Sequence, residues 1–294
     1  MSLETSAGRT SVTHLCGLFS VSRQAYYAAR KRLTEPSVVR LVTPPARPDC
    51  VSAAALRLAI EGVVKAHPAW GHRKVWAVVR RRGLLVGRRR VYEMMRELGL
   101  LLAPTHERRA ASPRGHVTTA EPNRRIATDL TTVWTRRDGL VAIALTVDCG
   151  CRSVLDVTAT KSQESGAVLG SVERAFRLAF GCPSRVPDGV ELRSDHGPQY
   201  TGSDAHALAM EWGIEQTFAP VGRPTGNAVA ERTIQTMKLE CVWLQDFDSV
   251  SHLQEELDAW QASFNEERPH QSLDWQTPAE RRAERLGPPM KQAA

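Results

Sequence analysis

From residue 125 onward the chain runs through three strand-like segments, residues 125–134, 140–147 and 153–158, set apart by turn-length gaps. Hairpins join segments spaced in this way. The period then changes. Residues 162–180 place Val168, Val172, Ala175, Phe176 and Ala179 at helical spacing, and they are followed by a short strand at 190–194, a helix at 203–212, a strand at 214–218 and a helix at 227–243. Three hairpin-connected strands followed by alternating helix and strand predict an α/β fold, a mixed five-stranded sheet flanked by helices. Such a sheet carries its functional site at strand ends and the adjoining loops.

The 294 residues suffice for one large domain or about two ordinary ones. Apolar residues at 42% and charged residues at 24% are ordinary for a globular chain and exclude collagen, wholesale disorder and a disulfide scaffold. The most apolar stretch, residues 140–147 with Thr146 within it, is far short of the roughly 18 residues of a membrane span. The opening residues lack the basic start and apolar middle of a secretion signal, so a cytoplasmic protein with no membrane partner is expected. Six cysteines occur without a C-x-x-C pair or a zinc-like quartet. Cys149 and Cys151 are expected to alternate on one strand face as small buried hydrophobes.

Charge divides the chain. Residues 1–120 carry 21 Lys and Arg against 7 Asp and Glu, whereas residues 121–294 carry 18 against 25. A basic front part suits a phosphate-rich polymer, because each cation that neutralises a phosphate releases condensed counterions. An acidic back part would repel that polymer unless its carboxylates hold cations.

Proline-rich residues 35–51 and basic residues 103–124 read as linkers. They delimit residues 1–34, residues 52–102, a core at 125–285 and a tail at 286–294. In the first segment Leu15, Leu18 and Phe19 share a helical face, and Ser22 can cap a second helix bearing Arg23 and Arg30. In the second, helices are expected at 53–65, 72–82 and 88–98. Arg88, Arg89 and Arg90 crowd the first turn of the last helix, where cations oppose the helix dipole. DNA phosphates would offset that repulsion, and two short, tightly joined helices with a basic second member suit entry into the major groove. Both front segments are therefore read as all-α helix-turn-helix modules.

Three acids in the core stand out. Asp129 lies inside the first strand, where an unpaired charge between apolar and β-branched neighbours is costly. Asp195 closes the fourth strand and opens a glycine turn, and Glu231 sits one turn into a helix after Pro224-Thr225-Gly226-Asn227. Magnesium, a hard cation, takes oxygen ligands from few carboxylates plus water and phosphate. Two such ions, roughly 3.5–4 Å apart, can clamp the attacking and leaving oxygens of an in-line phosphoryl displacement. A strand Asp, a neighbouring strand-end Asp and a Glu on a covering helix can converge on such a site, with manganese as a substitute ion.

Thr128-Asp129-Leu130-Thr131, Arg193-Ser194-Asp195-His196-Gly197-Pro198-Gln199-Tyr200 and Gly226-Asn227-Ala228-Val229-Ala230-Glu231-Arg232, with 35 residues between the second and third acids, resemble the DDE motif of the bacterial insertion-sequence transposases called OrfB, within the retroviral-integrase, RNase H-like superfamily. The resemblance spans nearly the whole chain. His67-Pro68-Ala69-Trp70-Gly71-His72-Arg73 looks like the family's helix-turn-helix region, and Phe264-Asn265-Glu266-Glu267-Arg268-Pro269-His270 looks like its C-terminal signature. His196, where Arg or Asn is commoner, and the Cys149-Gly150-Cys151 turn depart from the pattern without removing an acid.

The resemblance implies a metal-dependent enzyme that cleaves double-stranded transposon ends and transfers the strand to a target, with Asp129, Asp195 and Glu231 as catalytic and metal-binding residues. It implies a multimer bridging two ends, and an OrfA partner or fusion. Lys238, seven residues after Glu231 and about 20° from its face, is implied to meet DNA beside the metals, and Gln235 shares that face. Arg73 belongs with the DNA-binding set. Asn265, Arg268 and His270 suit either ordering of a C-terminal turn or contact with DNA. Asp148 is read as a strand-end acid bonding a turn, with a fourth catalytic acid as the alternative. The competing functions are a catalytically idle DNA-binding regulator, which would have lost an acid, and a host RNase H-like nuclease, which would not need the basic front modules.

Overall fold

The computed structural model describes residues 2–5, 8–34, 51–103, 119, 121–219 and 227–287. The expected linkers at 35–51 and 103–124 lie, apart from their edges, outside the described residues, as do residues 220–226 and most of the tail. The chain divides into two compact units, residues 1–50 and residues 51–294. Among the described residues no helix is long and apolar enough to cross a membrane.

The first unit is not all-α. It opens with two antiparallel strands, β1 (Ser2–Thr5) and β2 (Gly8–Ser11), before helices α1 (Val12–Leu18) and α2 (Arg23–Thr34). At four residues each, these strands are at the lower limit of what alternation can reveal. Ser22 does cap α2, accepting a hydrogen bond from the Ala25 amide at 3.1 Å. The apolar face expected from Leu15, Leu18 and Phe19 is different: Val12 and Cys16 are buried, while Leu18 and Phe19 are exposed. The helix has only seven residues and Phe19 is its C-cap, so the 3.6-residue period does not extend to it.

The second unit begins with α3 (Ala53–Ala66), α4 (His72–Arg81) and α5 (Arg88–Glu97), packed around Leu56, Ile60, Val63, Trp70, Val75, Val79, Val91 and Met95. Then come β3 (Arg125–Thr135), β4 (Gly139–Asp148), β5 (Val154–Thr160), α6 (Ser165–Phe180), β6 (Glu191–Ser194), α7 (Pro198–Thr201), α8 (Ser203–Trp212), β7 (Glu215–Phe218), α9 (Ala228–Glu240), α10 (Val250–Glu266) and α11 (Pro278–Leu286). The strand order is β5-β4-β3-β6-β7. β3, β4 and β5 pair antiparallel, and β6 and β7 join in parallel. This is the mixed five-stranded sheet flanked by helices that the sequence leads one to expect.

Two cores sandwich the sheet. Ala127, Ile143, Leu145 and Val147 pack beneath α9 and α10, and Ile126, Ala144 and Leu155 beneath α6 and α8. The neighbours Ala127 and Ile126 thus face opposite sides, as the two-residue strand period requires.

Cys149 and Cys151 do not lie on a strand. β4 stops at Asp148, whose carboxylate accepts hydrogen bonds from the amides of Gly150 at 2.7 Å and Cys151 at 3.2 Å and so folds the chain into a turn. Both thiols are buried, and burial pushes Cys149 up to about 12. A Cβ at Gly150 would lie 2.3 Å from the Glu121 carbonyl oxygen, so this close approach admits only glycine.

Candidate active site

Asp129 shares its strand face with Ala127 and Val133, the face covered by α9. β3 and β6 run parallel with Ile126 beside Leu192 and Ala127 beside Arg193. The paired register ends there, and Asp195 follows in the turn after β6, two residues beyond Arg193 as Asp129 is two beyond Ala127. Glu231 arrives from above: the buried Asn227 at the start of α9 donates its Nδ2 to the Thr128 carbonyl at 3.0 Å, pinning the first turn of the helix to the residue before Asp129. Sequence positions 129, 195 and 231 thus come near enough for the charges of Asp195 and Glu231 to act on Asp129.

The electrostatics agree with this placement. Burial raises the Asp129 carboxyl to about 6; a hydrogen bond from the Leu130 amide opposes the rise, and the charges of Asp195 and Glu231 add to it. Lys238 is near enough to pull Asp129 back down. Burial also raises Glu231. Asp195 is exposed, and its Oδ1 accepts a hydrogen bond from the Gly197 amide at 3.0 Å, which shapes the turn after β6. Among the described residues no three His, Cys, Asp or Glu side chains are gathered tightly enough to hold a single ion as they stand. Like-charged carboxylates repel, and the trio is close enough to perturb Asp129 without forming such a cluster.

Beneath the acids the sheet is tied by hydroxyls. Thr146 donates to Thr128 at 3.3 Å, and Thr128 bonds the Tyr200 hydroxyl at 3.2 Å, linking β4, β3 and α7. Asp148 is fully buried and bonded to the amides of Asn123, Gly150 and Cys151 and to Arg282. It occupies the turn-bonding role rather than that of a fourth acid.

The remaining candidates are dispersed. Gln235 on α9 accepts from Arg232 at 3.1 Å. On α5, Arg88 stacks over Trp76 with 5.4 Å to the ring centroid, Arg89 pairs with Glu93 at 2.8 Å, and Arg90 donates to the Val51 carbonyl at 2.7 Å. Arg73 is exposed on α4, as Arg23 is on α2 of the other unit, where Arg30 is half-buried. Asn265, Arg268 and His270 are engaged in ordering. Asn265 clamps both backbone groups of Val154 at 2.9 Å, and Arg268 grips Glu240. Burial first, then the charges of Arg268, Lys74 and Arg152, push His270 down to about 2.

The sequence reading missed the group around Glu240. This carboxylate, at the far end of the Glu231 helix, takes Lys74 of α4 at 2.8 Å and Arg268 at 2.9 Å. Burial alone would raise Glu240, but Arg268 and Lys74 hold it below its ordinary value. Arg81 pairs with Glu280, His67 approaches Glu267 at 3.2 Å, and Trp76 meets Trp275 edge-on. These contacts fasten the α3–α5 bundle to the sheet domain. The charges are 166 and 28 residues apart in sequence, so no local pattern announces them.

The HTH-like domain family matches residues 52–109, and two families described as integrase core domain match residues 119–224 and 212–278. The transposase InsD of insertion element IS2A/D/F/H/I/K from Escherichia coli is 28% identical over 240 residues, covering 76% of each chain. Among solved structures, the simian T-cell lymphotropic virus intasome bound to a PP2A regulatory subunit covers 80% of this chain and 78% of its own at 17% identity and a TM-score of 0.49. The HTLV-2 integrase catalytic core domain in complex with magnesium covers 54% of this chain and 96% of its own at 16% identity and a TM-score of 0.40.

Proposed function

We propose that this chain, which joins an HTH-like domain to an integrase core domain and is related to insertion-element transposases, cleaves and rejoins DNA at the ends of a mobile element. The observation that supports the proposal is the state of Asp129, held near 6 by burial and by the nearby charges of Asp195 and Glu231.

Three carboxylates are hard oxygen donors, and their repulsion is relieved by a divalent cation, so the residues fit magnesium. Bound there, magnesium would activate the attacking oxygen and neutralise charge on the leaving one. The protein's own contribution is placement. β3 carries the first donor and the turn after β6 the second, Asn227 fixes the turn of α9 before the third, and Lys238 would supply a cation for the phosphate. Phosphoryl transfer depends mostly on such positioning and fixed charge. Water attacks the phosphodiester at the element's end, and the freed 3′-hydroxyl then attacks a second strand.

The basic α5 start, with Arg88 and Arg89 outward, is read as a DNA-contacting element, and Arg23 and Arg30 as contacts from the other unit. Because two ends must be joined, the working form is read as a multimer, with double-stranded DNA as partner. The reading of an idle regulator is disfavoured because all three acids are present. Purified protein is to be incubated with labelled element ends in magnesium or in EDTA. Nicked and joined products in magnesium alone support the proposal, whereas identical product patterns in the two buffers overturn it.

A further inference from the structure

Between α4 and the face of α9, β3 and β6 lies a cleft of about 1130 Å³. It is lined by Arg73 and Lys74 of α4 and by Arg125, Arg152, Arg193, Arg232 and Arg268. Among the described residues lining it, Glu231 is the single acid.

The position of the cations follows from the strands. Arg125 lies four residues before Asp129 on β3, and Arg193 lies two before Asp195 on β6. The even separation keeps Arg125 on the same sheet face as Asp129, roughly 13 Å away along the strand, while Arg193 stands two residues before the turn that carries Asp195. Of the three acids only Glu231 lines the cleft, and the cations lie between it and Arg73 and Lys74 of α4.

The charges within it are poorly balanced. Arg125 has Glu191 at 2.8 Å, and Lys74 and Arg268 share the one carboxylate of Glu240. Arg73, Arg152 and Arg232 have no ion pair among the described residues, and Arg232 bonds the amide oxygen of Gln235. His270, adjoining Arg268, is held neutral by its surroundings and adds no positive charge. Arg152 also adopts a left-handed backbone with φ 65, a conformation that glycine holds more easily. Strain of this kind collects where a side chain must be presented. The buried clamp of Lys74, Glu240 and Arg268 keeps the two walls in fixed relation.

We propose that this cleft is a binding site for a phosphodiester backbone, the stretch of DNA strand that leads from the carboxylates to the HTH-like domain. The proposal rests on the polynucleotide reading above and goes beyond it by setting Arg152 and Arg232 on that strand beside Arg73. One strand is then gripped by both domains, and the distance from recognised sequence to cleaved bond is set by the width of the junction.

The test is equilibrium binding of the full chain to labelled element-end duplex in EDTA, with salt varied from about 50 to 200 mM. Combining Arg73→Ala, Arg152→Gly and Arg232→Ala is expected to lower the log–log salt slope by about 2 to 3, near 0.9 for each phosphate no longer neutralised. An unchanged slope and affinity in a variant that melts like the parent overturns the cleft site. Should the triple variant melt early, Arg232→Gln alone, on an exposed position of α9, carries the test with an expected fall of about one. If the parent chain binds with no salt dependence, the polynucleotide reading itself fails. If the parent binds normally and the variants match it, only the cleft assignment fails.

Discussion

Replacing Glu240 by Gln removes the single negative charge between Lys74 and Arg268 while keeping the shape of the side chain. The side chains of Glu240, Arg268 and Lys74 are only 9%, 11% and 23% exposed, so water cannot take over the lost role. Removing one member of a buried ion pair costs about 3–5 kcal/mol, because the partner charge is left uncompensated. Gln retains one carbonyl acceptor, which places the expectation near the lower end, at about 3 kcal/mol. For a unit of this size each kcal/mol lowers the melting temperature by about 2–4 °C, so Glu240→Gln is expected to melt about 6–12 °C early. Adding Lys74→Met removes one of the stranded cations and should restore roughly half of the loss, a positive coupling in a double-mutant cycle. Calorimetry at neutral pH reads both numbers. If Glu240→Gln melts within about 2 °C of the parent, or Lys74→Met deepens the loss, the clamp does not hold the two domains together.

Acid should act on the same group. His270 is held at about 2 in the fold against about 6.5 when unfolded, so below pH 6.5 the unfolded chain takes up a proton that the native chain refuses. Glu240, held below its ordinary value, keeps its stabilising charge above the unfolded value and loses it as the pH falls through the folded one. Stability therefore falls as pH drops below 6.5 through His270, by up to about 1.4 kcal/mol per unit, Glu240 adds to the fall only below the ordinary carboxylate value of about 4.5, and urea midpoints for His270→Phe should show a flatter acid limb. Asp129 behaves oppositely. Its carboxyl is raised to about 6, so the native chain gains stability as pH falls through 6, and at higher pH the ionised form strains the fold by roughly 1–3 kcal/mol. Asp129→Asn is therefore expected to melt several degrees higher than the parent in EDTA while losing strand cleavage, and magnesium should raise the melting temperature of the parent but not of the variant. A variant no more stable than the parent would remove the electrostatic argument. Gly150→Ala drives a methyl against the backbone of Glu121 and Pro122 and should shift the urea midpoint by the equivalent of about 3 kcal/mol or more with an unchanged slope. An unshifted midpoint would contradict that close approach.

What could be read in the sequence was what depends on local pattern. The strands β3 to β5 and the helix at 203–212 follow from period and turn spacing, and Asp129 stood out because a charge inside a β-branched run needs a reason. The parallel pairing of β6 with β3 that brings Asp195 near Asp129 is a non-local fact, and it became legible only through the motif's spacing. The hairpin before α1 was too short to show a period, and Phe19 was misjudged because α1 ends before it. The Cys149 turn was misread because Asp148, which ends the strand by accepting three amide hydrogen bonds, looks in sequence like any acid. Lys74, Glu240 and Arg268 gave no signal of their pairing. Singly each reads as a solvated charge, and only the packed junction shows that they are buried together.

The account depends above all on Asp129, Asp195 and Glu231 working as one site. The most direct test is Glu231→Gln assayed beside the parent on labelled element ends in magnesium, with binding measured on the same samples. The variant is predicted to bind DNA as the parent does and to yield neither nicked nor joined product. Undiminished cleavage by the Glu231→Gln protein would contradict the account.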